Sequence, residues 1–241
     1  MKFRRRRVRG GAKRFGIGKA YYPDMEVNMQ GYTKINCKTD PEVFMKVIPG
    51  HFVTPNSHIN YYIDMTTMKS RLNEARNAAA ALAKEYVAST IVDSIVCMDG
   101  CEVIGAFLAE ELTKAGIISV NQHQTIYVVT PEYDLTGQMI FRENMQMMIK
   151  GKHVVLLLAS TTTGTTLGRA VECIQYYGGH VNGISAIFSA ANSIAGQKIN
   201  HLFSPADIPD YRNYAPDKCD LCRMGVPVDA ICNGFGLSPI R

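Results

Sequence analysis

The sequence predicts an α/β fold, a parallel twisted sheet flanked by helices, with a small N-terminal hood and an irregular C-terminal tail. Strand-like and helix-like segments alternate from Ile91 to Ser189, and such alternation favours a parallel sheet covered on both faces. The run Val154–Ala159 is continuously aliphatic, as a strand buried on both faces must be. It breaks into the hydroxyl-rich turn Ser160–Thr166 and then enters a helical pattern. With 241 residues and 46% hydrophobic content, the chain is long enough for one sizeable core.

The elements follow in order. Glu42 to Phe52 leads to the turn at Pro55-Asn56-Ser57 and the extended piece around Tyr61-Tyr62-Ile63. From Met68 to Tyr86, Ala, Leu and Met recur at helical spacing between charged residues, which predicts one long amphipathic helix capped by Thr66 or Thr67. Then come a strand over Ile91–Met98, a helix over Glu102–Ala115 and a strand over Thr125–Val129. A strand over His153–Ala159, a helix over Thr165–Tyr177 and a strand over His180–Ser189 complete the series. Ligands of such sheets sit outside the carboxyl ends of the strands. Three loops are expected to meet there: Asp99-Gly100, Thr130–Gln138 and Ser160–Thr166. The prolines from Pro205 to Pro239 mark the irregular tail.

Charge is concentrated at one end. Lys2, Arg4, Arg5, Arg6, Arg7, Arg9, Lys13, Arg14 and Lys19 occur with no acid before residue 21, against a net charge of +5 for the whole chain. The rest is therefore mildly acidic. Residues 1–24 read as a disordered basic arm, the one segment suited to nucleic acid, and Met25 is an alternative start. No apolar run approaches the roughly 20 residues that span a bilayer. No apolar segment follows the arginines as a secretory signal requires, so a cytoplasmic protein is expected. Seven cysteines with a close Cys219-x-x-Cys222 pair suit reduced thiols or a metal better than a secreted disulfide framework.

The Ser160–Thr166 loop carries the strongest chemical signal. A glycine-bearing turn at a helix start aims free N–H groups and the positive dipole end at an anion. Ser160, Thr161, Thr162, Thr163, Gly164, Thr165 and Thr166 are thus a candidate phosphate cradle, against the plainer reading of a strand-to-helix turn with capping threonines. Met98, Asp99, Gly100 and Cys101 form the second candidate loop. Cys97 and Cys101 read as buried thiols. In the hood, His58, Tyr61, Tyr62 and Asp64 are candidates to face a base; the alternatives are a solvated histidine, core tyrosines and a strand-end cap. Cys219, Cys222 and Cys232 are the candidate metal ligands. A structural zinc wants a fourth, which Cys37, His201 or another cysteine of the N-terminal part would have to supply, so reduced thiols are the first reading and zinc the alternative.

The run from Val154 to Leu167 resembles the phosphoribosyl pyrophosphate (PRPP) motif of the type I phosphoribosyltransferases, a resemblance that makes the Ser160–Thr166 loop a 5′-phosphate cradle. Three further segments are similar to the orotate branch of that family. Gly50–Asp64 resembles its Gly-x-Phe, Ser-Gly-Lys-His-Ser, Asn-Tyr-Tyr-x-Asp signature. Ile95–Ala106 resembles its strand, pyrophosphate loop and helix start, and Cys219–Pro227 the Cys-Pro-x-Cys-x-x-Gly-x-Pro tail of longer members. The resemblance implies a type I phosphoribosyltransferase fold over 25–205, with 25–65 contributing the hood and 206–241 a tail packed on the body. It also implies a homodimer and, in an active member, Mg²⁺-dependent conversion of orotate and PRPP to orotidine 5′-monophosphate and pyrophosphate.

The departures fall on the chemistry. Leu158 and Ala159 stand where the motif has two acids that hold the ribose hydroxyls. Ser57 stands for the signature lysine and Asn56 for its glycine. Tyr127–Gln138 has no basic residue where the family has a mobile loop rich in Lys and His, and Arg142 is the nearest cation beyond it. The expectation is therefore a protein that binds PRPP or a nucleotide monophosphate, either with weakened transfer or as a non-catalytic sensor.

Overall fold

A computed structural model describes residues 31–114, 119–122 and 124–240; the basic arm over 1–24 and Ala115, where the second helix was expected to end, lie outside them. Two mixed layers share the chain. The hood begins with β1 (Thr33–Asn36), β2 (Phe44–Val53) and β3 (His58–Asp64). β2 pairs antiparallel with β1 and β3, and its register to β3 shifts between Pro49 and Phe52. Such a bulge bends the strand and re-aims its side chains.

The expected long helix is broken. α1 (Thr66–Ser70) stops at Arg71, whose backbone is extended, and α2 (Leu72–Ala83) starts immediately after it. Ala75, Ala78, Ala79 and Leu82 are the buried stripe of α2. Small alanines let the helix lie close to the sheet and to α3 (Glu102–Thr113), which follows β4 (Ser94–Cys97). Gly105 of α3 is required by that packing, because a Cβ there would run into the Cys97 sulfur of β4.

β5 (Tyr127–Val129) precedes a two-stranded hairpin of β6 (Glu132–Tyr133) and β7 (Met139–Ile140), then α4 (Glu143–Gln146). The core continues through β8 (His153–Thr161), α5 (Thr165–Tyr176), β9 (His180–Ser189), β10 (Ser193–Ile194) and β11 (Gln197–Phe203). In the main sheet the order is β10-β11-β9-β8-β4-β5. All neighbours are parallel except the β10 edge. β8 sits at the centre and is buried from Val154 to Ala159, as its aliphatic run requires. One apolar layer packs α2 and α3 on one face through Val155, Leu157 and Phe188. A second packs α5 on the other through Leu156, Leu158 and Ile184.

The tail is more ordered than its prolines suggest. After the 3₁₀ turn Pro205–Asp207 it forms β12 (Asn213–Tyr214), the 3₁₀ turn Pro216–Lys218, α6 (Asp220–Arg223), β13 (Ala230–Asn233) and β14 (Gly236–Pro239). β12 extends the hood sheet beside β3, and β13 joins β2 in parallel, giving the order β12-β3-β2-β13-β14. The hood core of Ile48, Phe52, Ile59 and Tyr62 is thus closed by Ala230 and Cys232 of the tail. Among the described residues no helix is long and apolar enough to cross a membrane.

Candidate functional site

β4 and β8 end side by side, with the Met98 N–H donating to the Leu157 carbonyl at 2.8 Å. Their loops leave the same edge of the sheet. The hydroxyl turn after β8 opens onto a cavity of about 340 Å³ lined by all seven residues of Ser160–Thr166 together with Asp99, Tyr133, Leu158 and the turn Thr54–Asn56. The three loops expected to meet do meet.

Gly164 is the residue before α5 and has φ +77°, the left-handed region. A side chain there would be strained and would press its Cβ to 2.9 Å from Ile194. The helix's own bonding begins with the Gly168 N–H, which donates to the Gly164 carbonyl at 2.8 Å. The N–H groups of Thr165, Thr166 and Leu167 precede that bond and have no carbonyl within α5 to meet. Thr163, Thr165 and Thr166 are exposed, Thr162 half-buried, and Thr161 buried. The Thr163 and Thr165 hydroxyls lie 3.1 Å apart, so donors from side chains and backbone share one small surface.

The Asp99-Gly100 turn is built from two consecutive left-handed residues, φ 56° and 77°, closed by the Cys101 N–H donating to the Met98 carbonyl at 3.1 Å. Aspartate and glycine are among the residues that tolerate this backbone. Burial pushes the Asp99 carboxyl up, against the pull of the nearby Lys69 ammonium and a hydrogen bond from the Ala159 N–H. Lys69 is itself buried. Its Nζ donates to the Asp99 carbonyl at 2.7 Å and to the Gly234 carbonyl at 2.5 Å. The sequence reading missed this cation because it sits within an amphipathic helical pattern as one more charged position. Met98 and Cys101 are buried and pack below the turn, and burial raises the Cys101 and Cys97 thiols well above the ordinary range.

The remaining candidates separate. Tyr61 and Tyr62 lie on opposite faces of β3. Tyr62 reaches the cavity while packing on Phe52 at 5.8 Å between ring centroids, its hydroxyl pushed up to about 12 by burial. Tyr61 packs against the main core instead. Asp64 accepts the Thr66 N–H at 2.9 Å, the strand-end role. Ser57 is buried in its turn, bonded to Thr54, and brings no charge. Arg142 is paired with Glu132 at 2.9 Å. His58 turns away toward His51, 3.0 Å between ring nitrogens, and toward Cys222 at 3.4 Å. Cys219 and Cys222 converge on the same point, but Cys232 does not; its thiol donates to the Val53 carbonyl at 3.5 Å. The third ligand position assigned to Cys232 is therefore corrected, since β13 carries that cysteine to the hood core.

The tail also supplies a wall that the sequence did not reveal. Asn233, Gly234 and Phe235, at the β13–β14 turn, line the cavity with Tyr211 and Phe188. The rings of the last two pack in a tilted pair, 5.5 Å between centroids. The cavity lining thus combines hydroxyl and amide groups with aromatic rings.

No family model matches the chain. It is 25% identical over 194 residues to the orotate phosphoribosyltransferase of Sulfurimonas denitrificans, a match covering 74% of this chain and 89% of that one. It is also 25% identical over 185 residues to that of Carboxydothermus hydrogenoformans, covering 76% and 88%. The orotate phosphoribosyltransferase of Mycobacterium tuberculosis H37Rv, solved with Fe(III) dicitrate, aligns at 18% identity with a TM-score of 0.47 over 68% of this chain and 91% of that one. The chain is thus similar to orotate phosphoribosyltransferases and divergent from them.

Proposed function

We propose that the chain binds a 5′-phosphorylated ribose ligand, a nucleoside monophosphate or PRPP, and has lost most of the transferase power of the enzymes it resembles. One observation carries this reading: the Ser160–Thr166 turn faces a cavity of small-molecule size, while the two preceding positions are buried Leu158 and Ala159. The phosphate would sit on the N–H groups and hydroxyls at the start of α5, where the helix dipole adds to the attraction. A planar base would lie against Tyr211 and Phe235. Ribose hydroxyls placed over Leu158 and Ala159 find no acceptor in those side chains, at a cost of about 1–3 kcal/mol each if left unpaired.

Transfer would require charge stabilisation of departing pyrophosphate, and one transition-state donor is commonly worth about 10²–10³ in rate. From Tyr127 to Gln146 the sequence carries one cation, Arg142, already paired with Glu132. Mg²⁺ would neutralise the diphosphate of PRPP; Asp99 is the carboxylate closest to that role among the cavity residues. A residual transferase remains the second reading, favoured by buried Lys69 beneath the Asp99-Gly100 turn.

The experiment pairs calorimetry with turnover. A nucleoside monophosphate is expected to bind at least about tenfold more tightly than its nucleoside, as charge-assisted bonds to the phosphate require. PRPP, Mg²⁺ and orotate are expected to yield no orotidine 5′-monophosphate at the rate of an orotate phosphoribosyltransferase. Equal affinity for phosphorylated and unphosphorylated ligands would sink the cradle, and robust turnover would sink the loss of catalysis.

A further inference from the structure

We infer that His51, His58, Cys219 and Cys222 form a structural Cys₂His₂ zinc site that fastens the tail to the hood. The four ligand atoms all lie within 4.8 Å of one another. A zinc tetrahedron with ordinary bond lengths needs about 3.3 Å between two nitrogens and about 3.6 Å between nitrogen and sulfur. The His51 Nε2 and His58 Nδ1 atoms are 3.0 Å apart. Nitrogen-to-sulfur separations are 3.6 Å for His51 with Cys219, 3.7 Å for His51 with Cys222 and 3.4 Å for His58 with Cys222. These edges match a single ion at the centre to within a few tenths of an ångström.

The surroundings select a ligand tautomer. His51 Nδ1 lies 2.9 Å from the Val226 carbonyl, which can only accept, so Nδ1 carries the proton and Nε2 turns a lone pair inward. This backbone anchor is the outer-shell contact that ligating histidines characteristically make. The backbone of His51 is fixed as well: its N–H donates to the Asp229 carboxylate at 2.7 Å, and the Asp229 N–H donates to its carbonyl at 2.8 Å. Position in the chain explains why the ligands converge. The β2 bulge aims His51, β3 begins at His58, and the start of α6 places Cys219 and Cys222 one turn apart.

Two thiolates and two neutral imidazoles balance a divalent ion, so the assembled site carries no net charge into the hood. Soft sulfur with imidazole in a tetrahedron selects zinc over magnesium or calcium. Four protein ligands close the coordination sphere, which marks a structural rather than a catalytic ion. All seven cysteines are free of disulfides, leaving both thiols available.

The test uses the full reduced chain and the metal alone. Elemental analysis after expression with zinc should find about one zinc per chain, and X-ray absorption should fit a shell of two sulfurs and two nitrogens. Cobalt exchanged into the site should show the intense visible bands and sulfur-to-metal charge transfer of tetrahedral thiolate coordination. Cys222→Ser, at an exposed position, and His58→Ala should each lower zinc content at least tenfold, whereas Cys232→Ser should keep it. If a ligand variant is insoluble, the absorption spectrum of the parent decides alone. A parent chain that takes up neither metal, or a zinc shell of oxygen and nitrogen only, would overturn the site.

Discussion

At the residue scale the candidate site depends on a few positions whose backbone or charge has no ordinary substitute. Gly164 is one. Gly164→Ala puts a Cβ on a left-handed backbone and against Ile194, so it should cost about 1–2 kcal/mol in urea unfolding and weaken phosphate-ligand binding in calorimetry. Lys69 is another. Lys69→Met keeps the aliphatic stem but leaves the Asp99 and Gly234 carbonyls without their donor, an expected loss of about 1–3 kcal/mol. Asp99 makes a pH prediction. Its folded carboxyl titrates above the ordinary aspartate range because burial disfavours the charge, so the folded state holds a proton that the unfolded chain has already released. Stability from this group falls as pH rises from the ordinary value through the raised one. The stability of the parent relative to Asp99→Asn should therefore decline across that window, measured by urea midpoints. The hydroxyl turn that opens onto the cavity was legible in sequence because it is local, seven consecutive residues at one strand end. Lys69 and His51 were not, because their partners lie far along the chain and only folding brings them together.

At the element scale, local patterns predicted most of what local forces decide. The central strand and the helix after the hydroxyl turn came out almost at their expected ends, since a continuous aliphatic run and a clear amphipathic period leave few alternatives. The helix read as continuous from Met68 to Tyr86 is divided at Arg71, a break that apolar periodicity does not register. β11 was absent from the sequence reading. Its Gln197–Phe203 segment mixes polar and apolar residues, and pairing with β9 on one side and β10 on the other supplies what its composition does not. Packing between elements makes its own prediction. In Gly105→Ala the new methyl meets Cys97, and α3 must shift away from β4; overpacking of this kind typically costs about 1–3 kcal/mol, which chemical denaturation would detect.

At the scale of the whole molecule, the chain uses its tail as part of the hood. That was the least legible feature, since prolines and short segments spell irregularity, whereas β12 and β13 gain their partners from strands laid down over 150 residues earlier, and β14 then pairs with β13. A chain shortened after residue 204 should expose Ile48, Phe52 and Ile59, bind an apolar fluorescent dye, and lose nucleoside monophosphate binding along with the Asn233–Phe235 wall. Retained binding would show that wall to be dispensable. The two carbonyls held by one buried ammonium join the floor of the cavity to that wall. A ligand that draws the Asp99-Gly100 turn toward itself is expected to carry Gly234 with it through Lys69. Amide exchange at Phe235 should accordingly slow when phosphate alone is added.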